Sequence, residues 1–265
     1  FSEGDQGLLT KSLLERLDPS EWPVRPSELP IGSALVGGSV RDALLNRLKH
    51  RPDLDLVVPS NAIKLGEKLA SDKGGTCVVL DSKRDIARLI LRDWSLDLAS
   101  QVGMDLEEDL SRRDYTINSI ALTFGPSPKI LDPNCGIDDL KNKKLVAVSE
   151  SNLIDDPLRL LRAFRLSSEL HFDVDQKTIN WISSNKRLLK NVAVERIKVE
   201  LERLVVGFWA DEVIPVLQEV GLLEPWEPKD NDLNTRLLTL KNISSLNANE
   251  KEIALPLIGL TTLIS

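Results

Sequence analysis

The 265-residue sequence is poor in the side chains that build metal centres and covalent staples, with two cysteines and two histidines. Cys77 and Cys135 are far apart and lack metal-ligand spacing, which excludes a zinc module or a disulfide framework and leaves two reduced thiols. Neither His50 nor His171 sits in a motif, so no histidine base is expected, and a metal phosphohydrolase would lack its histidine ligands. Long apolar runs are missing too, and no signal-peptide pattern is visible, so a cytoplasmic protein is expected. Excess positive charge is also absent. The net charge is -7, so any RNA contact must come from a local basic surface. There is no internal repeat and no low-complexity tract. What is present is 42% hydrophobic and 28% charged, with length for one large domain or two ordinary ones. The stretch begins at Phe1 without a methionine and is expected to be an excerpt of a longer polypeptide.

The periodicities predict an α+β head followed by helices alone. Leu8, Leu9, Leu13, Leu14 and Leu17 have helical spacing, and a proline-rich connection follows from Pro19 to Pro30. Ala34-Leu35-Val36 is a candidate strand, and the helix after Gly38 carries Val40, Ala43, Leu44 and Leu48 on one face. Asp53 to Val58 reads as a strand, followed by a helix from about Asn61 to Ala70 and a buried strand from Thr76 to Leu80. Asp85 to Leu91 and Ser95 to Ser100 read as an antiparallel pair joined at Arg92-Asp93. Residues 106–110 and 117–122 read as helical. A further pair of strands is expected at 129–131 and 145–148. Helical patterns alone follow, at 157–170, 176–189, 195–206 and 211–221.

Two features suggest chemistry. Asp53 and Asp55 are two apart on a strand and so share a face. Two ionised carboxylates side by side repel unless a cation lies between them, and Mg²⁺ takes such ligands while keeping positions open for phosphate. The structural alternative is an edge strand with a polar face. Just upstream, Gly37-Gly38-Ser39 marks a strand-to-helix turn where bare backbone can approach a phosphate, with Arg41 one turn on. The alternative there is a tight turn capped by Ser39 with Arg41 solvated. Two-metal phosphoryl transfer needs a third carboxylate. Asp97, opposite Trp94, Leu96 and Leu98 on an alternating strand, is the candidate, with an exposed strand residue as the alternative.

Gly37-Gly38-Ser39-Val40-Arg41-Asp42 with Asp53-Leu54-Asp55 resembles motif A of the class II tRNA nucleotidyltransferase and bacterial poly(A) polymerase family. Arg112-Arg113-Asp114-Tyr115-Thr116-Ile117-Asn118 resembles motif B, and Asp132-Pro133-Asn134-Cys135-Gly136-Ile137-Asp138-Asp139-Leu140 motif C. Asp155-Asp156-Pro157-Leu158-Arg159-Leu160-Leu161-Arg162-Ala163-Phe164-Arg165 resembles motif D, and Val194-Glu195-Arg196-Ile197-Lys198-Val199-Glu200-Leu201 motif E.

The resemblance implies a polymerase-β-like head with a helical neck and body. The corresponding boundaries are a lead-in at 1–30, a catalytic head at 31–150, a neck at 151–207 and a truncated body at 208–265. It implies Asp53, Asp55 and Asp97 as the ligands of a two-metal Mg²⁺ site. Gly37, Gly38, Ser39 and Arg41 would lie at the triphosphate, and Arg113, Asp114 and Asn118 around ribose and phosphates. Asp156 and Arg159 would read the base edge of CTP or ATP, with Arg162 and Arg165 completing the site. A guanidinium beside a carboxylate offers a base edge both donors and acceptors. From the residues alone, Asp156 is instead an N-cap before Pro157, and Asp155 pairs with Arg159 at i,i+4.

The expected activity is addition of CMP, and AMP, from CTP and ATP to the 3′ end of tRNA, with release of pyrophosphate. The sequence departs from the family in places. It has Asp155-Asp156 where Glu-Asp is usual and Asp at position 97 where Glu is usual. The arginine commonly found after that acid is missing from Leu98-Ala99-Ser100-Gln101. Only 98–111 separate Asp97 from Arg112, where CCA-adding members carry a longer loop. An enzyme that adds only the two cytidines is therefore an alternative, with poly(A) polymerase and an inactive RNA-binding homologue as the others. Over 141–200 basic residues outnumber acidic ones, which marks the expected RNA surface.

Overall fold

The computed structural model describes residues 3–223. The chain divides at Leu140/Lys141 into two compact units.

The first unit is built on a mixed seven-stranded sheet. Its elements are α1 (Glu3–Leu17), β1 (Ala34–Val36), α2 (Gly38–Leu44), β2 (Leu54–Val58), α3 (Ala62–Lys73), β3 (Thr76–Asp81), β4 (Ile86–Leu91), β5 (Trp94–Ser100), α4 (Leu106–Ser111), β6 (Ala121–Thr123), β7 (Ile130–Leu131) and α5 (Gly136–Lys141). The strand order is β3-β4-β5-β2-β1-β6-β7. β2 and β5 run parallel and every other pair is antiparallel. A parallel pair needs a crossover, and α3 with the β3–β4 hairpin supplies it.

Alternation sorts the sheet into two faces. Leu54, Leu56, Ala87, Leu89, Leu96 and Leu98 are buried on one, and α3 lies against it where Gly66 approaches Leu98 and Ala87. On the other, Ala34, Val36, Val57 and Ala121 form a cluster with Leu110 of α4. Asp55, Asp97 and Arg88 share that second face by register. Local signals hold the helix ends. Arg16 of α1 donates to the carbonyls of Ala43 and Leu44, closing the C-terminus of α2. The Asp85 carboxylate, from the loop before β4, accepts from the N–H groups of Ala62 and Ile63 and caps α3.

The second unit contains β8 (Lys144–Leu145), α6 (Glu150–Asp155), α7 (Leu158–Leu170), β9 (Asp173–Val174), α8 (Gln176–Asn185), α9 (Val194–Val206) and α10 (Ala210–Val220). α7 is its centre: Leu160, Leu161, Ala163, Phe164 and Leu166 are almost fully buried. Of the segment 208–265 expected to open a helical body, α10 is described and residues 224–265 lie outside the described residues.

Several local expectations are corrected. β3 is not a buried strand. Among the described residues it is the sheet edge, paired only with β4, and Val78, Val79 and Leu80 are each more than two-fifths exposed. Residues 117–122 are not helical. A 3-10 turn at Thr116–Asn118 gives way to β6, because pairing with β1 and β7 outweighs helical spacing. The strands expected to pair with each other have other partners: β7 joins β6, and β8 joins β9. The helix after Gly38 stops at Leu44, so Leu48 is not on its face. α5 and α6 are six residues each, too short for periodicity to show.

Candidate active site

β1 ends at Val36, paired with Asp55 of β2. The chain then turns at Gly37, with φ 73° and ψ -137°, a conformation open essentially to glycine alone. A Cβ at this position would lie 3.0 Å from Asp55 Oδ2 and 3.6 Å from Arg113 Nη1. Bare backbone, a carboxylate and a guanidinium therefore border one cradle. Gly38 opens α2, and Ser39 is buried with its hydroxyl donating to the Asp53 carbonyl. Ser39 is thus a tie between the turn and the start of β2, and Gly37 rather than Ser39 occupies the N-cap position.

Arg41 is buried, not solvated. Its Nε and Nη2 donate to the two Asp42 oxygens at 2.9 and 3.1 Å, and Nη1 donates to Asn118 Oδ1 at 2.9 Å. Asn118 Nδ2 in turn donates to Asp114 Oδ1 at 3.1 Å, which also accepts from the Tyr115 N–H. Motif A is locked to motif B through this chain of charge-assisted bonds. Arg113 pairs with Asp109 of α4 at 3.1 Å, and Asp109 also accepts from the Val102 N–H at 3.0 Å. Motif C buttresses motif B: Asp139 accepts from the Thr116 hydroxyl, Asn134 donates to Ser119, and a Cβ at Gly136 would strike the Thr116 carbonyl oxygen at 2.1 Å.

Asp55 and Asp97 are direct partners in the parallel β2–β5 ladder, and Arg88 is the direct partner of Asp97 in the β4–β5 ladder. Arg88 forks onto Asp97 through Nε–H to Oδ1 at 2.7 Å and Nη2–H to Oδ2 at 2.8 Å. That bond holds the Arg88 guanidinium above its ordinary pKa, and the charges of Asp53 and Asp55 add to it. Asp53 itself precedes the first residue of β2.

In the second unit, of the four motif D residues expected at the nucleotide, Arg162 and Arg165 share Glu200, while Asp156 and Arg159 have other partners. Asp156 lies between α6 and α7, where Pro157 rather than Asp156 takes the N-cap position of α7, and it pairs with Arg196 of α9 at 3.0 Å. Arg159, in the first turn of α7, donates to the Asn152 carbonyl at 2.9 Å. Arg162 lies 3.6 Å from Glu200. Arg165 is buried between Glu200 at 2.5 Å and Glu169 at 2.8 Å, where it struts α7 against α9.

Residues 33–146 match the family described as the poly(A) polymerase head domain, and residues 171–229 match one described as a probable RNA- and SrmB-binding site of polymerase A. A CC-adding tRNA nucleotidyltransferase of Synechocystis sp. is 40% identical over 220 residues, which are 83% of this chain and 50% of that protein. A CCA-adding enzyme of Streptococcus gordonii is 35% identical over 189 residues, 66% of this chain and 46% of that one. The chain thus spans about half the length of these curated relatives. Among solved structures, a CCA-adding enzyme complexed with CTP superposes with a TM-score of 0.76 at 26% identity, covering 89% of this chain and 58% of that one. A Thermotoga maritima CCA-adding enzyme complexed with tRNA gives 0.76 at 26%, covering 89% and 59%.

The chain belongs to the class II CCA-adding enzyme family. Nucleotidyltransferases of this family normally use divalent metals. The Gly37 cradle fits that requirement, because a Cβ would fill the space beside Asp55. Among the described residues, no group of three or more His, Cys, Asp or Glu side chains is arranged to hold a metal. Both Asp97 oxygens accept from Arg88, and Asp53 and Asp55 are the carboxylates that would hold a cation. One or two carboxylates plus substrate phosphates is how Mg²⁺ is usually held, so the donor set fits a cation that arrives with a triphosphate.

Sequence reasoning missed Arg88, Asp42, Asp109, Arg196 and Glu200. Arg88 was accessible to it: a hairpin turning at Arg92-Asp93 pairs Leu91 with Trp94 and therefore Arg88 with Asp97.

Proposed function

We propose that this protein transfers CMP from CTP to the 3′ end of tRNA in the cytoplasm. The observation that carries the reading is the register of β2 and β5, which sets Asp97 beside Asp55 at the Gly37 cradle. The primer's 3′ oxygen bonds to the α-phosphorus as the bond from that phosphorus to pyrophosphate breaks. Mg²⁺, when bound, supplies positive charge at the phosphates. Asp53 and Asp55 are the residues that would hold it. Asp97 is the carboxylate assigned to the proton of the attacking hydroxyl. Arg113 binds the triphosphate from the wall of the cradle, while Arg41 braces Asn118 and Asp114. Asp156 and Arg159 are assigned to the base edge of CTP, which requires Asp156 to exchange Arg196 for the base.

Addition stopping at two cytidines is favoured by the connection after Asp97. β5 ends at Ser100 and α4 begins at Leu106. Between them, the Val102 N–H is held by Asp109, the Met104 N–H by Glu108, and Asp105 caps α4. So short and tied a connection offers no long loop for a change of nucleotide.

The test is incubation with tRNAs ending at the discriminator base, at C and at CC, with CTP, ATP or both. Growth by two nucleotides with CTP and none with ATP is expected. Extension of the CC-ended tRNA by one A would make it a CCA-adding enzyme, and long A tails a poly(A) polymerase. Asp53→Ala should lose more than about a hundredfold in rate, since even outer-shell partners of metal ligands are worth 10–100-fold. Unchanged incorporation in that variant would overturn the catalytic assignment.

A further inference from the structure

Where β2 and β5 begin, the first unit has two adjoining hollows of about 410 and 420 Å³ that share Glu21, Arg51 and Trp94. Both fall within the size range of small-ligand pockets, about 300–1,000 Å³. Their walls carry five lysine and arginine side chains against three carboxylates. Two of those cations are committed, Arg16 to carbonyls of α2 and Lys73 to Glu28 at 2.7 Å. Arg51 pairs with Asp93 at 2.6 Å on an exposed surface, where such a bond is weak. The exposed side chains of Lys49, His50 and Arg92 have no hydrogen-bond or ion-pair partner among the described residues. The half-buried indole of Trp94 likewise neither stacks on another described ring nor donates a hydrogen bond. Uncommitted positive charge and an unengaged aromatic side chain are thus gathered in one place.

That combination suits an unpaired nucleic-acid strand, because cations follow its phosphates while an aromatic face takes a base. A duplex keeps its bases stacked inside and would leave the indole idle. The hollows are distinct from the catalytic cradle. Trp94 is three residues before Asp97 on β5, so it lies on the opposite face of the sheet, with Leu96 and Leu98. They also lie outside 141–200, where the basic excess of the sequence is found. We propose that these hollows form a separate RNA site, which holds an unpaired strand with a base on Trp94 and the flanking phosphates on Lys49, His50 and Arg92. Glu21 and Asp93 weaken it: each places a negative charge beside the strand, and Asp93 also occupies Arg51. The site needs neither a metal nor a transfer step, so it goes beyond the transferase reading and does not depend on it.

The experiment measures binding of a fluorescein-labelled oligoadenylate to the full chain by anisotropy, at low salt and without CTP, ATP or metal. Trp94→Leu should weaken binding at least about fivefold, the low end of base–aromatic stacking, and Trp94→Phe should restore most of the loss. Lys49→Gln and Arg92→Gln should each flatten the slope of log affinity against log salt by about 0.7, the share of one phosphate on a single strand. Glu21→Gln and Asp93→Asn should tighten binding. A thiouridine-containing oligomer should cross-link under long-wave light to the peptide that carries Trp94. Circular dichroism checks that each variant folds. If Trp94→Leu does not, the cross-link and Arg92→Gln, on the exposed turn, decide instead. Unchanged affinity in folded Trp94→Leu, an unchanged salt slope in Arg92→Gln, or a cross-link confined to other peptides overturns the proposal. Tighter binding of the same oligomer as a duplex also overturns it. Full competition by AMP at the oligomer's own concentration overturns the strand and assigns the hollows to free nucleotide. Failure of CMP transfer leaves each of these outcomes as it stands.

Discussion

At the scale of single residues, the cradle depends on an absence of atoms. Gly37 combines a positive φ with a would-be Cβ only 3.0 Å from Asp55 Oδ2. Gly37→Ala is expected to cost about 1–3 kcal/mol from backbone strain. It should also displace Asp55, so activity should fall further than stability alone explains. Urea unfolding beside a transfer assay measures both, and an alanine variant with normal stability and rate would show that the turn does not need glycine. Arg41 and Arg165 make the complementary point. Both stand in motifs where a ligand contact was expected, yet both are buried with their donors on protein acceptors. Burying a guanidinium is tolerable only when it is paired, and each motif supplies or borrows the partner.

At the scale of elements, the sheet edge and the helix caps decide what is tolerated. Val78 on β3 is an apolar residue on an exposed edge, whereas Leu89 on the neighbouring β4 is fully buried. Val78→Lys should therefore change stability by no more than about 0.5 kcal/mol. Leu89→Ala should cost about 2–5 kcal/mol. Similar losses in the two variants would contradict the edge position of β3. Asp85 caps α3 from outside, and its pKa is lowered, first by the Ser100 hydroxyl and then by the backbone N–H groups it accepts from. A carboxylate with a lowered folded pKa contributes its stability above the unfolded value, near 3.9, and loses it as pH falls through the folded value. Asp85→Ala should cost about 1 kcal/mol at pH 7. The difference from the unaltered protein should close on acidification below about pH 4, which denaturation at stepped pH would reveal. A difference that persists undiminished would mean that Asp85 acts through packing.

At the scale of the whole molecule, charge bears on the proposed binding of RNA. The chain carries a net charge of -7, and positive residues outnumber negative ones over 141–200. A protein making six to ten phosphate contacts loses roughly 10³–10⁵ in affinity between 50 and 200 mM salt. With a negative net charge and only a modest excess of basic residues over 141–200, this chain should lose less than about 10³ over that range. Filter binding of tRNA across a salt series measures the slope, and a steeper loss would mean a larger phosphate footprint than the sequence suggests. Among the described residues no helix is long and apolar enough to cross a membrane, in line with the short apolar runs of the sequence.

The sequence by itself determined the order of the elements around the cradle, the Asp53/Asp55 pair and the β4–β5 hairpin, because glycines, alternation and two-residue turns act locally. With the five motifs it also determined the family. Only the tertiary structure decided the rest. Thr76 to Leu80 has the composition of a buried strand, but which strand lies at an edge is a property of sheet order. Residues 117–122 have helical spacing, but partners on β1 and β7 draw their end into the sheet. The parallel pairing that sets Asp55 beside Asp97 joins residues 42 positions apart, and no local signal encodes it. Partners of the motif charges such as Asn118 on Arg41 and Arg196 on Asp156 come from segments that only folding brings together. Local rules place a side chain on an element, but its electrostatic surroundings depend on which elements become neighbours.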